Sequence, residues 1–211
     1  ETVAYPAEAG QDPKCMITLN WLLESVTEAE TNLALQILEQ LLIGMPSSPL
    51  RKELIESGLG EDLVGVGLEN ELRQMFFSTG LKGVRREDLP RVEELIQDTL
   101  QRLSRDGFEA ASVDAAVNSV EFALRENNTG SLPRGLLVMF RSLATWIYDS
   151  DPTLLLTFEK PLTRIKERLQ AGEPVFEQLV QRYFLDNPHR STVRLEPDPE
   201  EGERIRQRER E

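Results

Sequence analysis

The sequence contains very few of the side chains that bind catalytic metals or form disulfides. Cys15 is its one cysteine and His189 its one histidine among 211 residues. A single cysteine excludes an intrachain disulfide and fits a reducing compartment. A zinc site needs about three or four converging ligands, most often histidine and cysteine. We therefore predict no catalytic residue, no metal-binding residue and no cofactor in this chain.

Sequence motifs of several enzyme classes are also missing. We find no G-x-S-x-G nucleophile elbow, no Walker-type glycine loop and no dinucleotide-binding glycine loop. No apolar run approaches the roughly 20 residues that span a bilayer, and residues 1–4 have no targeting character. We expect neither a membrane partner nor secretion.

Acidic side chains outnumber basic ones, 37 to 24, which gives a net charge of −13. An excess of negative charge repels phosphate backbones, so nucleic acid is not an expected partner. It suits cationic partners such as basic peptides, although solubility alone also accounts for it. Hydrophobic residues make up 39% of the chain and charged residues 29%, which is typical of a folded globular protein.

Three segments in the first part of the chain have the alternating pattern of β-strands: 16–23, 62–68 and 75–84. The short connection between the last two predicts an antiparallel hairpin. Gly65 and Gly67 lie within the second segment and predict a bulge or a close approach of another backbone. The predicted buried side of the first segment consists of Ile17, Leu19, Trp21 and Leu23.

Apolar residues at helical spacing predict two helices between these strands and five after them. The first, over 28–43, begins after Thr27, which forms a capping-box pattern with Glu30. A late strand over 189–196 needs a sheet to join, and the early strands provide it. The predicted fold is α+β, with a mainly antiparallel sheet, helices packed on one face and a helix-rich C-terminal part. A division near Asp151 is the alternative.

Five segments match, in order, the sequence patterns of one peptidase family. They are SSPLRKELIESGLGEDL (47–63), FSTGLKGV (77–84), VEFALRENNTGSLPRGL (120–136), WIYDSDP (146–152), and the run from NPH to EPDPE (187–200). Together they cover almost the whole chain and resemble the pitrilysin-type, or insulin-degrading-enzyme-like, zinc metallopeptidases, in particular the presequence protease branch.

The resemblance implies a non-catalytic domain that helps to form the substrate chamber of a zinc metalloendopeptidase acting on short unfolded peptides. Family members have four related α+β domains in two halves joined by a helical hairpin, and the first domain holds zinc with an inverted H-x-x-E-H motif. This chain resembles the second domain, over residues 1–199, with residues 200–211 beginning the hairpin. Zinc is then expected in the parent enzyme and not in this chain.

The same resemblance implies partners, a location and candidate residues. The expected partners are the other domains of the same polypeptide and unfolded peptides, in the bacterial cytoplasm or an organelle matrix or stroma. If helices cover the Ile17 side of its strand, Thr18 and Asn20 face the chamber, and we assign Ser78 and Lys82 to the same side. Family-motif residues with a structural role are predicted to be Ser48, Pro49, Arg51, Arg125, Asn127, Asn128 and Arg134.

Two other interpretations compete with this one. A stand-alone acidic helical module could dock proteins through its surface helices, and an independent enzyme of unknown type would need a catalytic cluster that the sequence does not supply. The start at Glu1 and a final charged helical pattern without a stop signal favour an internal segment of a longer protein.

Overall fold

A mixed sheet with strand order β1-β5-β2-β4-β3 organises the computed structural model, which describes residues 1–7, 14–126 and 133–210. Its strands are β1 (Thr2–Pro6), β2 (Cys15–Ser25), β3 (Asp62–Glu69), β4 (Gln74–Val84) and β5 (Arg190–Asp198). The pairs β2–β4, β2–β5 and β3–β4 are antiparallel, and β1 pairs with β5 in parallel. The mainly antiparallel sheet and the return of the late strand to it are confirmed, whereas β1 was not predicted.

The helices follow the predicted order along the chain. They are α1 (Ala29–Glu39), α2 (Pro49–Glu56), α3 (Leu89–Asp106), α4 (Ala110–Glu126), α5 (Arg134–Trp146), α6 (Glu159–Gln170), α7 (Val175–Val180) and α8 (Glu201–Arg208). Two of them, α1 and α7, continue as single π-helical segments, Gln40–Gly44 and Gln181–Leu185. With these extensions, the predicted helices over 28–43 and 174–185 are confirmed.

The predicted cap of α1 is wrong. Glu28 occupies the N-cap position and makes no side-chain hydrogen bond to the helix. The Thr27 hydroxyl instead lies 2.8 Å from the Ser25 hydroxyl, in the turn that follows β2. Because that turn already uses the threonine hydroxyl, it does not serve the first turn of the helix.

An aromatic cluster joins the sheet to the helices. Trp21 on β2 is fully buried, and its ring lies 5.1 Å from that of Phe184 and 6.2 Å from that of Phe77. Its indole N–H donates to the carbonyl oxygen of Phe184 at 3.0 Å, which satisfies the polar end of a buried tryptophan. The core therefore lies on the odd-numbered side of β2, as the alternation predicts.

The predicted bulge in β3 is present, and the carboxylate of Glu39 binds the backbone beside it. The pairing register shifts between Val64 and Gly67, and Gly65 and Gly67 have φ of 110° and 71°. Glu39 accepts a hydrogen bond from the backbone N–H of Leu68 at 3.0 Å. Burial raises the pKa of Glu39, an effect that this hydrogen bond partly offsets.

One hydrophobic core contains residues from both sides of Asp151. Leu162 and Ile165 from α6 and Phe176 from α7 belong to the same cluster as the buried residues of β2 and β4. The late helices thus share the core of the sheet, and β5, the strand that follows them, pairs with the central strand β2.

Candidate functional site on the open face of the sheet

The side of the sheet opposite the core carries a regular set of side chains, which we name the open face. On β2 it consists of Met16, Thr18, Asn20 and Leu22. The strand register places Asn20 between Ser78 of β4 and Ser191 of β5, and Thr18 between Gly80 and Val193. Thr18 and Asn20 are half-buried, and Leu22 is exposed. This side of β2 therefore remains accessible, in contrast to the buried odd-numbered side.

A polar cluster lies at the centre of the open face. Ser78 donates its hydroxyl to Asn20 Oδ1 at 2.6 Å, and Asn20 Nδ2 lies 3.2 Å from the Thr18 hydroxyl oxygen. The same amide nitrogen lies 3.4 Å from the carbonyl oxygen of Ser191. Three of the four predicted site residues are thus brought together by hydrogen bonds. Ser78 is only 6% exposed, so its hydroxyl orients Asn20 and is largely withdrawn from solvent.

The fourth predicted residue lies apart from this cluster. Lys82 pairs across the strands with Met16 and Asp62, and its ammonium group lies 3.2 Å from the Asp62 carboxylate. The hydrogen bond from Lys82 lowers the pKa of Asp62, and the more distant charge of Arg51 acts in the same direction. The lysine charge on this face is therefore compensated by a neighbour that the sequence analysis did not connect with it.

Apolar side chains border the polar cluster and were missed as site residues. Val193 and Leu195 of β5, Val64 of β3 and Val3 of β1 share the open face through the strand register. The alternation within β5 showed that Val193 and Leu195 share a side, but only the pairing with β2 shows which side it is. Amide and hydroxyl groups edged by aliphatic side chains can bind an extended peptide through its backbone and through nonspecific apolar contact.

Gly80 keeps the centre of this face free of a side chain. A Cβ atom at position 80 would overlap the carbonyl oxygen of Ile17 on β2. The glycine of the FSTGLKGV segment therefore reflects close approach between two central strands. It also leaves Thr18 with no opposing side chain on β4.

Two of the predicted motif residues sit where α1 turns into α2. Ser48 is fully buried, donates its hydroxyl to the carbonyl oxygen of Gln40 at 2.7 Å, and accepts from the backbone N–H of Met45 at 3.0 Å. Pro49 begins α2, where its missing N–H is not needed. Ser48 therefore secures the end of the preceding π-helical segment, and it makes no side-chain cap to its own helix.

The remaining motif residues that the structure describes do not converge on one site. Arg125 binds Glu121 at 2.7 Å and stacks over the Phe158 ring at 5.8 Å, which ties α4 to the segment before α6. Arg51 is half-buried on α2, and Arg134 is exposed at the start of α5. Asn127 and Asn128 lie outside the described residues.

The side chains of the described residues do not fit a zinc ion. In the described ranges, no three histidine, cysteine, aspartate or glutamate residues form a group that could hold a metal. Cys15 begins β2, while the backbone of His189 bonds to Leu22 near the other end of that strand. Seven residues of strand separate the two positions by about 23 Å. Burial also raises the pKa of the Cys15 thiol, which disfavours the thiolate that binds metal.

None of the described helices is both long and apolar enough to cross a membrane.

The family model and the curated relatives that match this chain point to the same peptidase family. Residues 3–120 match the model of the peptidase M16 inactive domain. Presequence protease 1, chloroplastic/mitochondrial, of Arabidopsis thaliana is 48% identical over 94% of this chain, and the mouse mitochondrial presequence protease is 32% identical over 92%. Protein HypA of Clostridium perfringens is 34% identical over 94%. The chain spans about a fifth of the length of these relatives, 19%, 19% and 20% respectively.

Solved structures agree on the fold. The inactive peptidase domain of a Bordetella parapertussis zinc protease covers 90% of this chain with a TM-score of 0.66 at 16% identity, and the match includes 96% of that domain. A Helicobacter pylori protease covers 93% with a TM-score of 0.69 at 16% identity, over 44% of its own length. With the sequence match over more than half of its residues, the chain belongs to the peptidase M16 family and carries the fold of its inactive domain.

Proposed function

We propose that this chain is a non-catalytic domain that encloses substrate in a larger zinc metalloendopeptidase acting on short unfolded peptides. The observation that carries the proposal is the polar cluster of Thr18, Asn20 and Ser78 on an accessible sheet face, in a chain that matches an inactive peptidase domain. Zinc and the residues that use it belong to another domain of the parent enzyme.

The open face has the chemistry expected of a surface that binds peptides with little sequence specificity. Its accessible hydrogen-bonding groups are the Asn20 amide and the Thr18 hydroxyl, and its borders are aliphatic. Such groups bind the peptide backbone common to all substrates and accept varied side chains. The net charge of −13 favours basic peptides over acidic ones through long-range attraction.

Two parts of the chain have different roles in the parent enzyme. Residues 1–199 form the enclosing domain, and residues 200–211, which include α8, begin the helical connection between the halves of the parent. Its partners are the other domains of the same polypeptide. The relatives named as chloroplastic or mitochondrial proteins support an organelle matrix or stroma, and the bacterial relative is compatible with a bacterial cytoplasm.

A bulky side chain on the open face tests the proposal in the full parent enzyme. We expect Thr18→Trp to raise KM for unfolded peptides about tenfold, equivalent to about 1.4 kcal/mol of lost binding, because it obstructs the polar cluster. Asp98→Trp is the matched control, since Asp98 is exposed on α3, a helix whose apolar side packs on the opposite face of the sheet. Its KM should equal that of the unmodified enzyme.

The controls for this experiment separate binding from folding. Circular dichroism and thermal unfolding must show that both variants keep the native fold. Equal KM values for Thr18→Trp and the unmodified enzyme would refute substrate contact at the open face. Peptide cleavage by the purified 211-residue chain alone, or stoichiometric tightly bound zinc in it, would refute the non-catalytic assignment.

A further inference from the structure

A cavity of about 250 Å³ lies among helices α1, α4 and α5, the chain that leads into α6, and the β3–β4 turn. Folded interiors leave few voids larger than a water molecule. This volume is the share of about eight molecules in liquid water. The cavity is therefore large enough for a small organic molecule of about nine non-hydrogen atoms.

Two kinds of side chain line the cavity. Three amide side chains and two charged ones provide its polar part. Five leucines and one phenylalanine provide its apolar part: Leu33, Leu124, Leu137, Leu154, Leu155 and Phe158. Small-molecule sites combine apolar walls with a few polar groups that fix the orientation of the ligand. The cavity has this composition.

The three amides form a network that leaves two hydrogen-bond acceptors unused. Asn32 is only 1% exposed, and its Oδ1 accepts from Gln36 Nε2 at 2.8 Å and from Asn70 Nδ2 at 3.0 Å. Both lone pairs of this oxygen are then occupied. Among the described residues, no donor reaches the side-chain oxygen of Gln36 or of Asn70. Because both amides bond to one buried oxygen, these two acceptors are held close together beside the cavity.

One negative and one positive side chain complete the polar part. Among the described residues that line the cavity, Glu71 and Arg141 are the charged ones. An ammonium group has three N–H donors and no acceptor, which matches two amide oxygens and a carboxylate. Arg141 already interacts with another group, and what it adds for a ligand is a positive charge that attracts a carboxylate. Together these groups complement a zwitterion.

We propose that this cavity binds a free apolar α-amino acid of about the size of leucine. The ammonium group of the ligand donates to the side-chain oxygens of Gln36 and Asn70 and lies beside Glu71. Its carboxylate lies toward Arg141, and its side chain packs among the leucines. This inference goes beyond the proposed function and does not depend on it, because the lining residues belong to the helices and a turn and not to the open face.

An NMR titration of the ¹⁵N-labelled 211-residue chain with L-leucine tests the inference. We expect saturable shifts of the side-chain NH₂ signals of Asn32, Gln36 and Asn70, with a Kd of about 1 mM or below for a ligand of this size. Glycine lacks the apolar side chain, 4-methylpentanoate lacks the ammonium group and 3-methylbutylamine lacks the carboxylate. Each of them should bind at least about tenfold more weakly than L-leucine.

Two variants locate the binding. Glu71→Gln removes the negative charge from the cavity and should weaken L-leucine binding at least about fivefold. Its matched control is Glu94→Gln, which removes an exposed carboxylate from α3 and should leave Kd unchanged. Ala29→Trp places a large side chain at a half-buried position that lines the cavity. It should abolish binding while circular dichroism shows the native fold.

Three results would overturn the inference. The first is no saturable shift with L-leucine up to about 50 mM, which would leave the cavity to water alone. The second is binding of 4-methylpentanoate or glycine as tight as that of L-leucine. The third is an unchanged Kd in both Glu71→Gln and Ala29→Trp, which would place the ligand elsewhere on the chain. None of these readouts involves KM for Thr18→Trp, so the cavity and the open face are tested separately.

Discussion

Replacing Gly80 by alanine tests the close approach of the two central strands. A Cβ atom at this position would overlap the carbonyl oxygen of Ile17 and lie 2.9 Å from the Cα atom of Thr18. Both neighbours are backbone atoms of β2, so no side-chain rotation relieves the overlap. The strands must separate locally, and the surrounding side chains of Ile17, Thr79 and Leu81 are at most 1% exposed, which leaves no free space for the movement.

The expected cost follows from these contacts. Separation of β2 and β4 weakens about two ladder hydrogen bonds, each worth about 1 kcal/mol. Repacking of a fully buried neighbourhood adds about 1–3 kcal/mol. We therefore expect Gly80→Ala to lower the free energy of unfolding by about 3 kcal/mol or more.

Urea unfolding followed by circular dichroism measures this change. With a slope of about 2 kcal/mol per molar urea, the midpoint should fall by about 1.5 M. Gly135→Ala is the matched control, because a Cβ atom there meets no neighbour within 4 Å and alanine is the better helix former. Its unfolding free energy should change by less than about 1 kcal/mol, in the stabilising direction. A Gly80→Ala midpoint equal to that of the unmodified chain would refute the reasoning.

Three further substitutions test other contacts. Ser48→Ala should lower the unfolding free energy by about 2 kcal/mol, because it leaves two partly buried backbone groups, Met45 N–H and the Gln40 carbonyl oxygen, without their partner, and denaturant titration beside the exposed-site control Ser47→Ala checks this. Trp21→Phe should cost about 3 kcal/mol in the same assay, since it removes the hydrogen bond to Phe184 and leaves a void. Burial raises the pKa of Glu39 in the folded protein above its value in the unfolded chain. The protonated side chain therefore contributes its full stability below the unfolded pKa, and this contribution is lost as pH rises through the folded pKa. Glu39→Gln, whose amide oxygen can accept the same hydrogen bond, should therefore gain stability relative to the native chain as the pH rises above the ordinary glutamate pKa; a pH-independent difference between the two would contradict this.

Local periodicity was sufficient for most of the elements. The alternation through Ile17, Leu19 and Trp21 identified both β2 and its buried side, because side chains in a strand change side at every residue. The five-residue β1 has no such signal, since its side chains are largely exposed. It becomes a strand by pairing with β5, whose position in the sheet is a tertiary property.

The candidate site was only partly predictable. Thr18 and Asn20 follow from the same alternation, but the near-complete burial of Ser78 depends on the register between β2 and β4. The Asp62 partner of Lys82 depends on the register between β3 and β4. These partners are 58 and 20 positions away along the chain, a separation that no local pattern connects.

The amino-acid sequence by itself determined the order of the elements from β2 onward, the single-face burial of β2 and the shortage of histidine and cysteine, because each depends on residue type and near-neighbour spacing. Only the tertiary structure decided that Thr18, Asn20 and Ser78 form a hydrogen-bonded cluster on the open face. This cluster depends on how elements distant in sequence share one core, and the free energy of that packing outweighs any local preference.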